Sequence, residues 1–411
     1  MRPILHPAFY QWLAISYVGL VSLALSVTLA RELGPSGFGE YGIALAAGAL
    51  VAIFLDGGMR NILLREGTRT GKQLEHLSKQ LPAIALGHAI TMAVLLSLLV
   101  LGIFFHHLQI ALSTISCFLG VVLVQFVSAS LRGAGRWSLD AGWQMGHRTL
   151  SAALILAAVF LGFAQAWVVL AAWACASFLS FLFLPSPLRT FPDLSFRPEV
   201  YNVALPLIFI DLATAVYFRS DILVLGWLGV ESNKIGQYSA SYRFFEAVIM
   251  AASPLGLLFF RRMRLFNGNT LEFKQGLKRA VLFAAVLGVF LALGLGFISE
   301  QLVAWSYGSR YPESAQLLSI LAWALVFVLP NILLTQAALA LELDKSYLLA
   351  ALLAALINFA LNYLFISYYG VLASAFTSVA TEGALFILLA FSVFKGMVVK
   401  TGKHTESRDL G

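Results

Sequence analysis

Charge is the scarcest property of this sequence, with Asp, Glu, Lys and Arg together making up 11% of 411 residues. A soluble domain carries roughly 25%, so a water-facing surface of ordinary size is excluded. Cysteine is nearly absent too. The two present, Cys117 and Cys175, both fall in apolar runs and read as small buried hydrophobes, not as a disulfide framework or a metal site. No Gly-rich phosphate loop of the Walker type occurs, which removes ATP as a directly bound energy source. Long polar segments are missing as well. The longest connectors run to about 20 residues, too short to fold a catalytic domain outside a membrane.

What fills the chain is apolar sequence. Hydrophobic residues make up 60%, mean hydropathy is +0.86, and runs long enough to cross a bilayer core of about 30 Å recur throughout. Their spans are 9–30, 41–64, 81–105, 109–131, 141–163, 166–184, 202–227, 236–260, 280–298, 314–339, 346–366 and 370–394. The runs are continuously apolar and lack the two-residue alternation of a barrel strand. The expectation is therefore an all-α integral membrane protein of about twelve transmembrane helices. Arg2 and the run ending Thr28-Leu29-Ala30 have the layout of a secretory signal. That run exceeds a signal core of roughly 7 to 15 residues, so it is expected to stay as the first helix.

The formal charge of +7 follows loops, not a face, which argues against nucleic acid as a partner. With the N-terminus inside, twenty Lys and Arg, among them Lys72, Arg264, Lys345 and Lys403, fall on the cytoplasmic side, against Arg31, Lys234 and Arg310 outside. That bias fits the positive-inside rule with both termini cytoplasmic. The proline-rich stretch Pro185 to Glu199 is a semi-stiff connector and divides the chain into a lobe at 1–184, a linker at 185–201, a second lobe at 202–394 and a tail at 395–411. A short repeat supports two lobes of six helices. Leu33-Gly34 with Gly39-Glu40-Tyr41 matches Leu228-Gly229 with Gly236-Gln237-Tyr238, and the turn at Arg136-Trp137 matches Leu343 to Tyr347.

Four cations, Arg60, Arg148, Arg219 and Arg243, lie inside the predicted spans. A charge near the bilayer centre costs about 2.5 to 3.5 kcal/mol on insertion scales, so each is expected to face protein or a wet cavity. Arg148 has an alternative at the cytoplasmic boundary, where it can snorkel. Asp56 and Arg60 are four apart and can pair. Ser239, Tyr242, Arg243, Glu246 and Met250 share one helix face, where Arg243 and Glu246 form either a structural pair or part of a site near mid-membrane. Asp211, Thr214, Phe218 and Asp221 share another face, with Arg219 turned away from Asp221. Asp211 and Glu382 have no cation at helical spacing, which makes them the first choices for an ion-coupling site, ahead of Glu246 and Asp56. Asn358 and Asn362 read as helix-to-helix hydrogen-bond partners. His106-His107 marks a tight loop, and Pro206, Pro254 and Pro330 are kink positions.

LGPSGFGEY, a long apolar helix and LDGGMRNILLRE resemble the second-helix region of the Wzx-type polysaccharide flippases, in the MOP superfamily shared with the MATE multidrug exporters. Ile235 to Arg243, Arg219-Ser220-Asp221, and Asn358 with Asn362 are similar to the same pattern, so the resemblance covers nearly the whole chain. It implies a MATE-like fold in a bacterial cytoplasmic (inner) membrane. It further implies alternating-access movement of an undecaprenyl-pyrophosphate-linked oligosaccharide, without enzymatic chemistry. Arg60, Arg148, Arg219 and Arg243 would then line a cationic cavity, and Asp211, Glu382, Glu246 and Asp56 would serve a proton or sodium ion, with no other cofactor. Membrane lipids and a polysaccharide polymerase would be its partners. Two further helices are typical of lipid II flippases, which counts against a peptidoglycan role. A MATE-like drug or metabolite exporter and a membrane polysaccharide polymerase or ligase are the alternatives, the second disfavoured by short outward loops.

Overall fold

The computed structural model describes residues 2–67, 74–103, 107–184, 190–265, 270–341 and 343–409. Lys72, His106 and the first part of the connector, 185–189, lie outside the described residues, as do the side chains of Pro254, Arg264 and Lys403. No strand occurs among the described residues. Helix is the physical default here, because in hydrocarbon each backbone N–H and C=O must be satisfied within its own segment.

Two compact units divide the chain at Ala215 and Val216. Unit 1 contains α1 (Arg2–Asp56), α2 (Met59–Gly67), α3 (Leu81–Ile103), α4 (Leu108–Gly133), α5 (Trp137–Phe160), α6 (Ala166–Ser180) and the first part of α7 (Pro198–Trp227). Unit 2 takes the rest of α7, then α8 (Ser232–Leu265), α9 (Thr270–Tyr307), α10 (Ser314–Ala322), α11 (Leu325–Ala340), α12 (Asp344–Tyr369) and α13 (Val371–Asp409).

The unit 1 core joins Leu55, Met59 and Ile62 to Leu81 and Ile84 of α3, Val122 and Phe126 of α4, and Val200 and Ala204 of α7. That of unit 2 joins Phe273 and Leu277 of α9 to Leu334 and Ala337 of α11, Ala354 of α12, and Leu389 and Val393 of α13. Lipid tails are as apolar as Leu, so close helix approach depends on small residues. Gly288 of α9 is one of them, since a Cβ there would lie 2.5 Å from the Leu325 carbonyl oxygen. Large side chains such as Leu98, Phe290 and Phe391 are exposed, as expected of a bilayer-facing surface.

The backbone departs from the expected spans in informative places. Inside α1, Gly34 takes φ 67° and ψ 175°, a left-handed φ that glycine accepts and an extended ψ that the following Pro35 favours. Its repeat partner Gly229 has φ 70° and closes α7, with the Val230 amide returning to the Leu225 carbonyl at 3.1 Å. The expected helix 41–64 is not continuous, because Gly57 and Gly58, at φ 53° and 74°, separate α1 from α2. The expected helix 314–339 is two helices bent by 45°. The bend falls at Trp323-Ala324, upstream of Pro330, where amides reach back only three residues. Cys175 is exposed, not buried as expected, while Cys117 is buried.

Among the described residues eight helices are long and apolar enough to cross a membrane, nine when the bent pair counts as one. α1 counts once in that number although Gly34 divides it. α5 falls short because of polar residues such as His147 and Arg148. Residues 190–197 before α7 take no regular structure, and the Asp193 amide is bonded to the Ala83 carbonyl at 2.9 Å. Hydrogen bonds from the Ser195 hydroxyl and amide hold the Asp193 carboxyl below its usual range, with Arg197 adding a weaker pull.

Candidate functional site

Each unit gathers its own intramembrane charges. In unit 1 the cluster is built on the glycine break. Met59 begins α2, so the Arg60 amide is one of the first-turn donors without a helical acceptor, and Asp56 Oδ1 accepts it at 3.2 Å. Asp56 therefore caps α2. The guanidinium of Arg60 goes elsewhere, to Asp211 Oδ2 on α7 at 3.4 Å and to Gln125 Oε1 on α4 at 3.3 Å. This corrects two expectations. Asp56 and Arg60 do not form a side-chain ion pair of their own, and Asp211 is not without a cation. Asn61 also reaches Asp211 Oδ2, at 3.5 Å. The second oxygen of Asp56 is buried with no hydrogen-bond partner among the described residues.

His88 of α3 holds the break in place. Its Nε2 lies 3.0 Å from the Phe54 carbonyl oxygen and its Nδ1 3.1 Å from the Tyr201 hydroxyl. A carbonyl can only accept, so Nε2 carries the hydrogen and Tyr201 donates to Nδ1. A Cβ on Gly57 would sit 2.2 Å from that Nε2. Phe196 of the connector stacks on Tyr201 at 4.9 Å. Neither His88 nor Tyr201 was singled out from sequence. The available signal was the Gly57-Gly58 pair directly after an intramembrane acid.

In unit 2 the centre is Glu246 of α8. It accepts from Arg243 Nη1 at 2.7 Å, the expected neighbour one turn away, and from Arg219 Nη1 of α7 at 3.2 Å. Two guanidiniums thus share one carboxylate, and all three side chains are partly exposed. Along the rest of that α8 face, Ser239 and Tyr242 are buried and Met250 is exposed.

Asp221 is fully enclosed, bonded by the Tyr238 hydroxyl and by the Ile222 amide at 2.8 Å. The face drawn through Asp211 and Asp221 is therefore divided, each acid having partners in a different unit. Glu382 of α13 accepts from the Tyr217 hydroxyl at 2.6 Å and from Asn331 Nδ2 at 2.8 Å, two neutral donors, with no ion pair among the described residues. Asn358 accepts from Ser220 at 2.6 Å and from Asn362 at 2.9 Å, and Ser374 donates to Asn362 Oδ1 at 2.9 Å. These asparagines tie α7, α12 and α13 together as expected. Arg148 stands apart from both charge clusters, its guanidinium 5.2 Å over the Trp173 ring.

Residues 4–259 match the profile of the family described as Polysaccharide biosynthesis protein. No curated protein matches. Among solved structures, the chain is similar to the lipid II flippase MurJ in an inward closed conformation, at TM-score 0.78 and 14% identity, covering 95% of this chain and 89% of that one. It is similar to an inward-facing MATE multidrug resistance transporter of the MOP superfamily, at TM-score 0.63 and 14% identity, with 93% and 96% coverage. A MOP superfamily transporter from Pyrococcus furiosus matches at TM-score 0.61 and 16% identity, with 96% and 94% coverage.

Proposed function

The chain belongs to the polysaccharide biosynthesis protein family and has the transporter fold of the MOP superfamily, and from that premise we propose that it is a lipid-linked oligosaccharide flippase. Its substrate is an undecaprenyl-pyrophosphate-linked repeat unit, moved by alternating access across a bacterial cytoplasmic membrane. One observation carries the reading: two guanidiniums, Arg219 and Arg243, converge on the Glu246 carboxylate of unit 2, and all three side chains are partly exposed. Two guanidiniums on a partly exposed cluster suit a polyanionic headgroup, and Arg forms the bidentate contact that phosphate oxygens prefer. Arg60 is the corresponding cation of unit 1, and Arg148 is assigned the least part because its guanidinium already lies over Trp173.

Translocation makes and breaks no bond, so the protein is not an enzyme in this account. Membrane lipids surround it, and a polymerase would consume its product. Coupling to a proton or sodium ion is placed at Asp56, Asp211 and Glu382, with Glu246 last because two arginines already engage it. In topology the reading keeps twelve crossings, lobes at 1–184 and 202–394, and both termini in the cytoplasm. Cysteine labelling is expected to reach positions 72, 264 and 403 only from the cytoplasmic side, and 234 and 310 only from outside. Labelling of 72 and 234 from one side would refute that topology. The function itself is tested by reconstitution with the lipid-linked substrate. Export of amphipathic cations without movement of the lipid would assign drug transport instead.

A further inference from the structure

We infer that unit 2 carries a binding groove for one zwitterionic aminophospholipid, formed along α9 by α10 and α13. Two contiguous cavities of about 700 and 670 Å³ share Gly296, Phe297 and Ser319, each within the size of ordinary ligand sites, roughly 300 to 1,000 Å³. Together they form one groove with a graded lining. One end is apolar, with Ala292, Leu293, Trp323, Phe376 and Val379. The other is polar, with Glu300, Ser309 and Gln316. Ala292 and Glu300 are separated by about 12 Å along the helix at 1.5 Å per residue, so the polarity changes along the direction of a lipid molecule. Trp305, 79% exposed beside the polar end, is an interfacial residue type that marks headgroup level.

The charge at that end selects the headgroup. Glu313 is engaged by Lys234, whereas Glu300 forms no ion pair among the described residues and is exposed. The hydroxyls of Ser299 and Ser319 donate to the Gly296 and Gln316 carbonyls, at 2.9 and 2.7 Å, so toward a ligand they can only accept. What the groove offers is a carboxylate above an apolar channel. A primary ammonium on a glycerophospholipid satisfies both parts, because it can donate to the carboxylate while one acyl chain fills the channel. An anionic headgroup without an ammonium meets repulsion there. The inference holds whatever the chain transports.

Gly296 makes the groove testable. A Cβ there would meet only Ser319 Cβ, at 4.0 Å, so Gly296→Trp can fill the channel without a backbone clash, and Glu300→Gln removes the headgroup partner alone. The full-length protein, purified in mild detergent, is titrated with phosphatidylethanolamine or phosphatidylglycerol, and bound lipids are counted by native mass spectrometry. The wild type is expected to retain one phosphatidylethanolamine that persists on delipidation, with about tenfold preference over phosphatidylglycerol, the scale of one charge-assisted hydrogen bond. Gly296→Trp should lose that lipid. Glu300→Gln should keep a lipid and lose the preference. Failure of the wild type to retain the lipid, retention by Gly296→Trp, or an undiminished preference in Glu300→Gln would each overturn the inference.

Discussion

Arg243→Ala lowers transport of a pyrophosphate-linked lipid by about 10- to 100-fold, the loss expected when one charged hydrogen bond to the substrate disappears. Arg219 remains on Glu246 in that variant, so the carboxylate keeps a cation while one guanidinium is lost to the substrate. The fold should survive, since the pair that closes α7 on α8 is retained. Arg243→Lys keeps the charge and can keep the contact to Glu246, but it loses the planar fork, so partial transport at unchanged melting temperature is expected. Arg60→Ala should fall in the same range, with an added cost because Asp211 then loses its cation. The readout is transport per molecule in vesicles, beside thermal stability of the same preparations. If melting temperature and transport fall together across Arg243→Ala and Arg243→Lys, the residue is structural and the cationic site lies elsewhere.

Loss of gradient dependence is the expected result at the coupling carboxylates, and the three differ in what replacement removes. At Asp56 an asparagine oxygen can still accept the Arg60 amide, so Asp56→Asn keeps the α2 cap and removes only the charge. At Glu382 the partners are Tyr217 and Asn331, so Glu382→Gln retains an acceptor oxygen while abolishing the anion that a proton or sodium ion would neutralise. Both should hold the transporter in one orientation and stop pH- or sodium-gradient-driven flux. Asp211→Asn is ambiguous alone, because it also strips Arg60 of its counter-charge. Pairing it with Arg60→Gln resolves the two effects. If Asp211 only balances Arg60, the double variant regains gradient dependence relative to Asp211→Asn; if it carries the ion, it does not. Wild-type flux and gradient dependence in Asp56→Asn and Glu382→Gln, with the residual flux of the double variant still gradient-dependent, would make all three acids packing features.

The parts of this molecule that depend on local sequence were legible, and those that depend on distant chain were not. Apolar runs announce helices because lipid leaves the backbone no other way to satisfy itself. Arg243 with Glu246, and Asn358 with Asn362, were readable because helical spacing places residues three or four apart on one face. Helical spacing is blind across the fold. Asp211 looked unpaired because Arg60 lies 151 residues away, and Arg219, 27 residues from Glu246, supplied the second guanidinium on that carboxylate. Asp56 and Arg60 failed as a pair because Gly57 and Gly58 break the helix between them. That break needs His88 and Tyr201 to hold it, and nothing local connects them to Asp56. Pro330 drew the expected bend to the wrong place. Pro330 lies inside α11, and the 45° break falls upstream of it, at Trp323-Ala324.

The central claim is that this chain moves a polyisoprenoid pyrophosphate bearing a sugar chain across a bilayer. The most direct test uses purified full-length protein in proteoliposomes loaded with a fluorescent undecaprenyl-pyrophosphate oligosaccharide, with exposure of the sugar at the opposite leaflet read by a membrane-impermeant glycosidase or lectin. Protein-dependent exposure that depends on an ion gradient and is lost in Arg243→Ala is the predicted result. Lipid that stays in its original leaflet, in vesicles where the same protein drives efflux of an amphipathic cation, would contradict it.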